Sequence, residues 1–303
     1  MILDLIEVTP KINKFKVFVC IIIVILLLSI PIMFIIKDYQ NNKLYNGVDS
    51  GIKLSNQVNV KDENANIEVK DEQEEVKEEI PWVTLTKVGM QNIKNIYKSE
   101  EKVAYLTFDD GPSKTVTPLI LETLKQENIK ATFFVLGSRV DLYPELVRQE
   151  YENGHYIANH GYSHVYGNIY SSSETVLNEY YKTQDSIRNA IGIEDYDCNI
   201  FRFPGGSSGG RYSSIKTEAK KALEENNIAY VDWNALNNDA TGENLTKEQM
   251  YEKVVETTSG KNSVVILMHD AGDKILTYEI LPQIIQYLRE EGYTFKNFYS
   301  IIQ

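Results

Sequence analysis

The feature that most constrains the fold is a regular alternation of short apolar runs and amphipathic stretches, which begins at Val103. Seven runs have the length and the β-branched or aromatic content of buried strands, at 103–108, 131–137, 155–159, 199–203, 229–233, 263–269 and 293–298. Six stretches between them have helical periodicity, at 118–128, 143–153, 173–190, 214–226, 246–258 and 276–291. Strands that alternate with helices form a parallel sheet whose two faces are covered. The pattern therefore predicts an α/β domain, and it fits an open doubly wound sheet as well as a closed barrel.

An uncharged apolar run at 17–36 predicts a transmembrane helix. About 20 apolar residues are what a helix needs to cross the bilayer core. Three lysines precede the run, whereas one lysine and one aspartate follow it, which places the N-terminus, 1–16, in the cytoplasm. A cleaved signal peptide is the alternative interpretation, but no small-residue cleavage site follows Ile36. We therefore predict an uncleaved, single-pass anchor with the rest of the chain on the extracellular side.

The segment 37–80 has the composition of a solvated spacer. Its second half, 61–80, contains nine acidic residues and three lysines. Such a stretch cannot bury enough apolar surface to offset the entropy that ordering costs. An interaction tail is the alternative interpretation. We predict a disordered acidic stalk at 37–80, followed by a globular domain at 81–303.

Net charge and cysteine content exclude several classes of protein. The formal charge is −12 at pH 7, whereas a nucleic-acid binder normally carries a basic surface. The two cysteines, Cys20 and Cys198, are too few for a disulfide framework or a cysteine-rich zinc module. Because only four histidines occur, their positions are informative.

Polar residues stand at the ends of several predicted strands, which is where parallel α/β folds place their chemistry. Asp109 and Asp110 directly follow the first apolar run. Two adjacent carboxylates repel each other unless each meets a positive partner. An ordinary turn is the alternative interpretation, because Asp-Gly and Gly-Pro are common turn dipeptides.

His160 and His164 follow the third apolar run and are four residues apart. This spacing directs both rings at one metal ion if the backbone is helical. With an acidic residue the pair supplies three protein ligands and leaves positions for water and substrate, as catalytic metal sites require. His155, at the start of the same run, is interpreted as a structural or an exposed histidine without a role in the site.

Three more strand ends carry Arg202, Asp232 and His269. Taken singly, these residues fit a surface cation, a helix cap and a core histidine. Their occurrence together at strand ends of one parallel architecture favours a common site.

Five short motifs occur in this order along the chain: T-F-D-D-G-P, H-G-Y-S-H, R-F-P-G-G, V-D-W and L-M-H. Together they resemble the polysaccharide deacetylase family, which is also called the NodB homology domain or carbohydrate esterase family 4. The resemblance covers about 102–303. It implies a distorted (β/α) barrel with about seven parallel strands. It also implies a hydrolase that removes acetyl groups from N-acetylated sugars, or from O-acetyl esters in some members.

The resemblance implies a metal site made of Asp110, His160 and His164. The metal of the family is typically zinc, with cobalt or manganese in some members. A divalent metal at these residues is therefore the expected cofactor.

The resemblance also implies the residues of acid–base catalysis. Asp109 matches the general base, and Arg202 matches the arginine that pairs with it. His269 matches the catalytic acid, and Asp232 matches the carboxylate that orients this histidine.

The walls of the acetyl pocket are expected to include Trp233 and Leu267. The backbone N–H of Gly205 is expected to face the oxyanion. Family members often carry an aromatic residue at the position of Gly205, so the resemblance predicts that one sugar contact is missing here.

The resemblance and the predicted anchor together suggest three functions. The first is a membrane-anchored deacetylase of a cell-wall glycan, with peptidoglycan N-acetylglucosamine as the expected substrate. The second is the same chemistry on chitin-like oligomers, an exopolysaccharide or O-acetyl esters. The third is a non-catalytic wall-binding scaffold, against which the complete set of metal, acid and base residues argues. The expected partners are the cell-wall polysaccharide and the membrane, with no nucleic acid.

Overall fold

The structure is a computed structural model, and it describes residues 85–242 and 244–302. The predicted cytoplasmic segment 1–16, transmembrane helix 17–36 and stalk 37–80 lie outside the described residues. Within the described part of the chain, no helix has both the length and the apolar character needed to cross a membrane.

The described domain is built on a parallel sheet. Its strands are β1 (Val103–Asp109), β2 (Thr132–Val135), β3 (Tyr156–Asn159), β4 (Ile200–Phe201), β5 (Ala229–Tyr230), β6 (Ala235–Leu236), β7 (Ser263–His269) and β8 (Thr294–Phe295). Seven of them follow one another in the order β5-β4-β3-β2-β1-β7-β6, and β8 pairs only with the first two residues of β1. The predicted number of parallel strands is confirmed, but their identity differs. The two-residue strand β6 was not predicted, and β8, the seventh predicted strand, lies off this path.

The sheet is curled into a half-barrel. Its two edge strands, β5 and β6, follow each other along the chain and are joined only by 231–234. Five Cα steps of 3.8 Å limit the distance between Tyr230 and Ala235 to about 19 Å. The sheet must therefore curve until its edges approach each other. Among the described residues no hydrogen-bonded ladder joins β5 to β6, so the barrel is open on this side.

The helices are α1 (Lys87–Lys94), α2 (Thr117–Gln126), α3 (Gly137–Leu142), α4 (Pro144–Glu152), α5 (Tyr166–Ile169), α6 (Ser173–Ile191), α7 (Ser213–Glu225), α8 (Lys247–Thr258), α9 (Ile275–Glu290) and α10 (Tyr299–Ile302). The six predicted helices correspond to α2, α4, α6, α7, α8 and α9, each within two residues at both ends. A capping box begins α8, in which the side chains of Thr246 and Gln249 each accept the other's backbone N–H.

The sheet has two hydrophobic cores because successive strand residues point to opposite faces. On β1, Leu106 and Phe108 face outward and pack in the large core beneath the surrounding helices. Tyr105 faces inward and joins a smaller core with Phe298 and α1, which fill the inside of the half-barrel. The inward-facing positions continue beyond this apolar filling to the carboxyl ends of the strands, and these ends are polar.

Candidate active site

Four polar residues continue the inward-facing rows of the strands: Asp109, His160, Arg202 and His269. Each lies two residues beyond another inward position, and all four side chains are buried. Asp109 and His269 are direct neighbours in the β1–β7 ladder. The curl of the sheet therefore gathers residues from four strands at one end of the half-barrel.

Both carboxylates after β1 reach this site because the backbone turns between them. Asp110 has a left-handed conformation with φ 71°, which is uncommon for a residue other than glycine. Adjacent residues of a regular strand would point to opposite faces. The next residue, Gly111, packs so closely on Asp270 that any Cβ would clash with its carboxylate. The turn that the Asp-Gly and Gly-Pro dipeptides predict is therefore present, and it is what brings both carboxylates into the site.

Asp110, His160 and His164 form a cluster of metal-binding atoms. The two Nε2 atoms lie 3.5 and 3.2 Å from Oδ1 of Asp110. This oxygen is buried and accepts no hydrogen bond from the described residues. One carboxylate and two imidazoles are a donor set that suits a divalent cation such as zinc.

His160 has the protonation state that a ligand needs. Its Nδ1–H donates to the carbonyl of Arg202 at 2.8 Å, which leaves the lone pair of Nε2 directed at the cluster. Burial lowers the pKa of His160 to about 3, although the charge of Asp110 opposes this shift. The ring is therefore neutral at physiological pH and fits the metal site.

The His160–His164 segment is a bend and not a helix, so the helical premise of the sequence argument is wrong. The two rings converge because Gly161 and His164 have φ angles of 80° and 56°. Glu179 on α6 holds the bend. Its carboxylate accepts the N–H groups of Tyr162 at 2.7 Å and Ser163 at 2.8 Å. The sequence carries no pattern that identifies Glu179 as part of the site.

Arg202 pairs with Asp109, as predicted. Its guanidinium donates to Oδ1 of Asp109 at 2.8 Å and to the hydroxyl of Thr107 at 2.7 Å, and it stacks on the ring of Phe134. Two further bonds go to backbone carbonyls. Burial raises the pKa of Asp109, while the positive charge of Arg202 opposes the shift. The arginine thus favours the ionised form of a carboxylate that burial alone would protonate.

His269 is held by Asp239. The Nδ1–H of His269 donates to Asp239 at 2.6 Å, and its backbone N–H donates to the same carboxylate at 2.9 Å. Burial disfavours the charged ring, but the hydrogen bond and charge of Asp239, together with the charges of Asp109 and Asp110, outweigh burial and raise the pKa of His269 to about 9. Nε2 of His269 lies 4.0 Å from Oδ2 of Asp110. A positively charged donor therefore faces the metal cluster at neutral pH.

The prediction that Asp232 orients His269 is wrong. The carboxylate of Asp232 accepts the N–H and the hydroxyl of Ser207 at 2.8 and 2.6 Å, so it stabilises the loop after β4. The reason is topological, because Asp232 follows β5 at one edge of the sheet. Asp239 follows β6, which is paired with β7 and therefore lies beside His269. A sequence reading that misses the two-residue strand β6 also misses Asp239.

The three predicted pocket residues have different surroundings. Leu267 lies two residues before His269 on the inward row of β7. Trp233 lies 5.8 Å from the guanidinium of Arg202 and, with α1, lines a cavity of about 370 Å³ at the open side of the barrel. Gly205 is exposed, and its N–H donates no hydrogen bond within the described residues. Their contacts with an acetyl group remain predictions.

An aromatic ring occupies the space beside Gly205. A Cβ at this glycine would lie 2.7 Å from the hydroxyl of Tyr166 and 3.2 Å from its ring. The Tyr166 side chain is exposed, and its ring lies 5.5 Å from that of His164. Helix α5 therefore supplies an aromatic surface next to the metal cluster, at the position where the sequence suggested that one was missing.

Comparisons with known proteins agree with this geometry. The family model for polysaccharide deacetylase matches residues 97–231. A peptidoglycan-N-acetylglucosamine deacetylase of Bacillus cereus is 35% identical over 206 residues, which are 66% of this chain and 71% of that protein. PgdA of Listeria monocytogenes, a peptidoglycan-N-acetylglucosamine deacetylase, is 33% identical over 65% of this chain, but the match spans only 38% of its own length.

A solved structure gives the same result for the fold. The structure of a Streptococcus mutans CE4 esterase superimposes with a TM-score of 0.62 at 30% identity, covering 69% of this chain and 90% of that one. The relatives, the half-barrel and the Asp110–His160–His164 cluster lead to one conclusion. The chain belongs to the polysaccharide deacetylase family and is a metal-dependent polysaccharide deacetylase.

Proposed function

We propose that the enzyme removes the acetyl group from N-acetylglucosamine of peptidoglycan, at the outer side of the membrane to which its N-terminus anchors it. One observation carries the chemistry. A carboxylate paired with arginine and a histidine paired with carboxylate both face the Asp110–His160–His164 cluster, at 3.7 Å from His160 and 4.0 Å from Asp110. The substrate is supported by the names of the Bacillus and Listeria relatives. The anchor is supported by the uncharged run at 17–36.

The metal cluster defines where the acetyl group binds. A divalent metal held by Asp110, His160 and His164 supplies Lewis acidity to a carbonyl oxygen and acidifies water. We propose zinc, because two imidazoles and one carboxylate with room for water are typical of catalytic zinc sites.

Asp109 is the general base of the proposed reaction. Its Oδ1 is occupied by Arg202 at 2.8 Å, whereas its Oδ2 lies 3.7 Å from Nε2 of His160 and thus faces the cluster. Oδ2 accepts the proton of the attacking water. General bases of this kind typically contribute about 10²–10⁴ in rate.

His269 is the general acid. An amine leaves poorly unless it is protonated, so the donor must be charged before the C–N bond breaks. The carboxylate of Asp239 keeps the ring charged and leaves Nε2–H free to donate to the leaving nitrogen. Arg202 and Asp239 therefore hold the base and the acid in opposite protonation states at the same pH.

Deacetylation of O-acetyl esters is a second candidate, since the Streptococcus mutans neighbour is described as an esterase. The same base and metal ligands serve both reactions. The leaving groups differ, because an alkoxide is a better leaving group than an amide anion and depends less on a proton from His269.

The test uses the full chain in detergent with purified peptidoglycan, chitin oligomers and acetylated xylan. We expect free amines to appear on peptidoglycan fastest, as measured by reaction with an amine reagent and by mass loss of one acetyl group. His160→Ala, which removes a metal ligand, is the control for contaminating activity. Release of acetate from xylan without amines on either N-acetylated polymer would contradict the proposed substrate.

A further inference from the structure

We propose that Arg139 selects glycans that carry a carboxylate on the sugar next to the acetylated residue. The inference rests on the proposed deacetylation of N-acetylated sugars at the metal cluster and adds the substrate group that the neighbouring cavity recognises. In peptidoglycan every second sugar bears a lactyl group, whose carboxyl is a free carboxylate or is joined in an amide to a stem peptide.

A cavity of about 360 Å³ connects Arg139 to the metal ligands. Asp110 and His164 line one end of it, and Arg139 lines it together with Leu136 and Leu142. This volume lies in the range of small-ligand sites. Beside the leucines, the hydroxyl-bearing Ser138 and Ser163 line the cavity, so its walls suit a polar ligand such as a sugar. A sugar adjacent to the one at the metal cluster therefore has a place to bind.

Arg139 has an unpaired positive charge. The chain contains six arginines. Five guanidinium groups bind carboxylates, carbonyls or aromatic rings: those of Arg148, Arg188, Arg202, Arg211 and Arg289. Within the described residues the side chain of Arg139 has no such partner. The acid on the same helix, Asp141, is occupied by the hydroxyl of Tyr162 at 2.9 Å.

The position of Arg139 relative to the metal ligands is fixed by the backbone. The N–H groups of Gly137 and Ser138 donate to the carbonyls of Gly161 and Tyr162, in the bend that carries both histidines. The bonds measure 3.0 and 3.1 Å. A Cβ at Gly137 would clash with Tyr162, so the first turn of α3 lies directly on this bend. Arg139 is thus held beside the metal ligands and not on a separate surface.

The negative charge of the protein explains why a single arginine can determine whether an anionic substrate binds in this cavity. The chain has a net charge of −12, and two carboxylates, Asp109 and Asp110, lie in the site. Arg202 offsets one of these carboxylates, but it is buried and bonded to Asp109, so an anionic group in the cavity needs another cation beside it. A guanidinium binds a carboxylate through two parallel hydrogen bonds, which makes arginine selective for this group.

The experiment measures kcat and KM of the full-length enzyme on soluble glycans that differ only in one carboxylate. The first pair is peptide-free peptidoglycan strands and the same strands with the lactyl carboxylate converted to a methylamide. The second pair is chitin oligomers with and without oxidation of the terminal sugar to its aldonic acid. Strands that retain the stem peptide show whether the recognised carboxylate belongs to the sugar or to the peptide.

For Arg139→Gln we expect KM on the carboxylate-bearing strands to rise roughly 10-fold, with kcat and the KM of the neutral member unchanged. Arg139→Lys should recover part of the loss. The matched control is Arg289→Gln, which removes the same charge from the ion pair that Arg289 on α9 forms with Glu127 at the end of α2 and should change neither KM.

Two results would overturn the proposal. One is an unchanged KM in Arg139→Gln on every carboxylate-bearing glycan, and the other is an equal rise for charged and neutral members of a pair. If the wild type acts only on chitin, peptidoglycan is not the substrate. The oxidised chitin pair then still decides the role of Arg139.

Discussion

Two buried histidines of the active site, His160 and His269, have pKa values shifted in opposite directions. Their exposed fractions are 3% and 7%, so burial penalises the charged form of both. The pKa of His160 falls to about 3, whereas that of His269 rises to about 9. The partner of Nδ1 makes the difference, because His160 donates to a neutral carbonyl and His269 donates to the carboxylate of Asp239.

This comparison shows how one fold obtains a metal ligand and a proton donor from the same residue type. A ligand must keep a lone pair, and a neutral partner behind the ring leaves it neutral. A general acid must keep a proton, and a carboxylate behind the ring favours the charged form. The chemistry of each histidine is therefore decided by the residue behind it, on the side away from the substrate.

The largest effect should follow from loss of the neutral histidine. In His160→Ala only Asp110 and His164 remain as protein ligands, so we expect loss of bound metal and of activity to background. Elemental analysis and amine release measure the two quantities. A chelator should have the same effect on the wild type, with recovery on adding zinc, cobalt or manganese. Full activity in metal-stripped protein would contradict the assignment of the cluster.

Loss of the charged histidine should depend on the leaving group. His269→Ala should lower kcat on an N-acetylated glycan by at least ~10²-fold, because the amine leaves without a proton donor. On nitrophenyl acetate the loss should be much smaller, since that leaving group needs no proton. Metal content, measured in parallel, should stay at the wild-type level. Equal losses on both substrates would mean that His269 is not the general acid.

The pH dependence of the rate distinguishes which aspartate, Asp239 or Asp232, orients the ring of His269. Asp239→Asn removes the charge that raises the pKa of His269, so the alkaline limb of the pH–rate profile should move down by about one unit or more. Asp232→Asn is the matched control, because its carboxylate binds Ser207 and lies in another loop. It should leave the alkaline limb in place. A shift in Asp232→Asn alone would reverse the assignment.

The smallest effect concerns a third buried histidine, His155, whose Nδ1 accepts the backbone N–H of Ala131 at 3.0 Å. Burial lowers its pKa to about 3, below the unfolded value near 6.5. Its neutral form therefore stabilises the fold above pH 6.5, and this stability is lost as pH falls towards 3. As pH falls from 6.5 towards 3, the free energy of unfolding of the wild type should drop by about 1.4 kcal/mol more per pH unit than that of His155→Gln, which lacks the titrating ring.

Denaturant unfolding of the metal-free protein at several pH values measures this slope. Activity at neutral pH should be unchanged, because His155 lies at the start of β3, away from the metal cluster. An unchanged slope in His155→Gln would show that His155 is not buried in the neutral form.

The sequence predicted most of the fold because its signals are local. Apolar runs identify seven of the eight strands, helical periodicity identifies six helices, and residue spacing identifies both metal-binding histidines. The sequence-based prediction failed where an element is too short to show a hydrophobic pattern. Strand β6 has two residues, and its omission led directly to the choice of Asp232 over Asp239.

Two other site features were missed for a related reason. Glu179 supports the histidine bend from the middle of α6, where its position resembles that of any helical glutamate. Tyr166 fills the space beside Gly205 from a different helix, α5. Neither contact corresponds to a recognisable sequence motif, because each joins segments that approach each other only in the folded chain.

The sequence by itself determined the parallel α/β architecture and the residues of the metal cluster, because strand periodicity and strand-end motifs are local properties. Only the tertiary structure decided which carboxylate stands behind His269, what holds the metal loop, and which cation lines the cavity beside the metal cluster. These depend on which loops the curl of the sheet brings together. The ladder of β6 with β7 and the contact of α3 with the histidine bend create these neighbours across long stretches of chain.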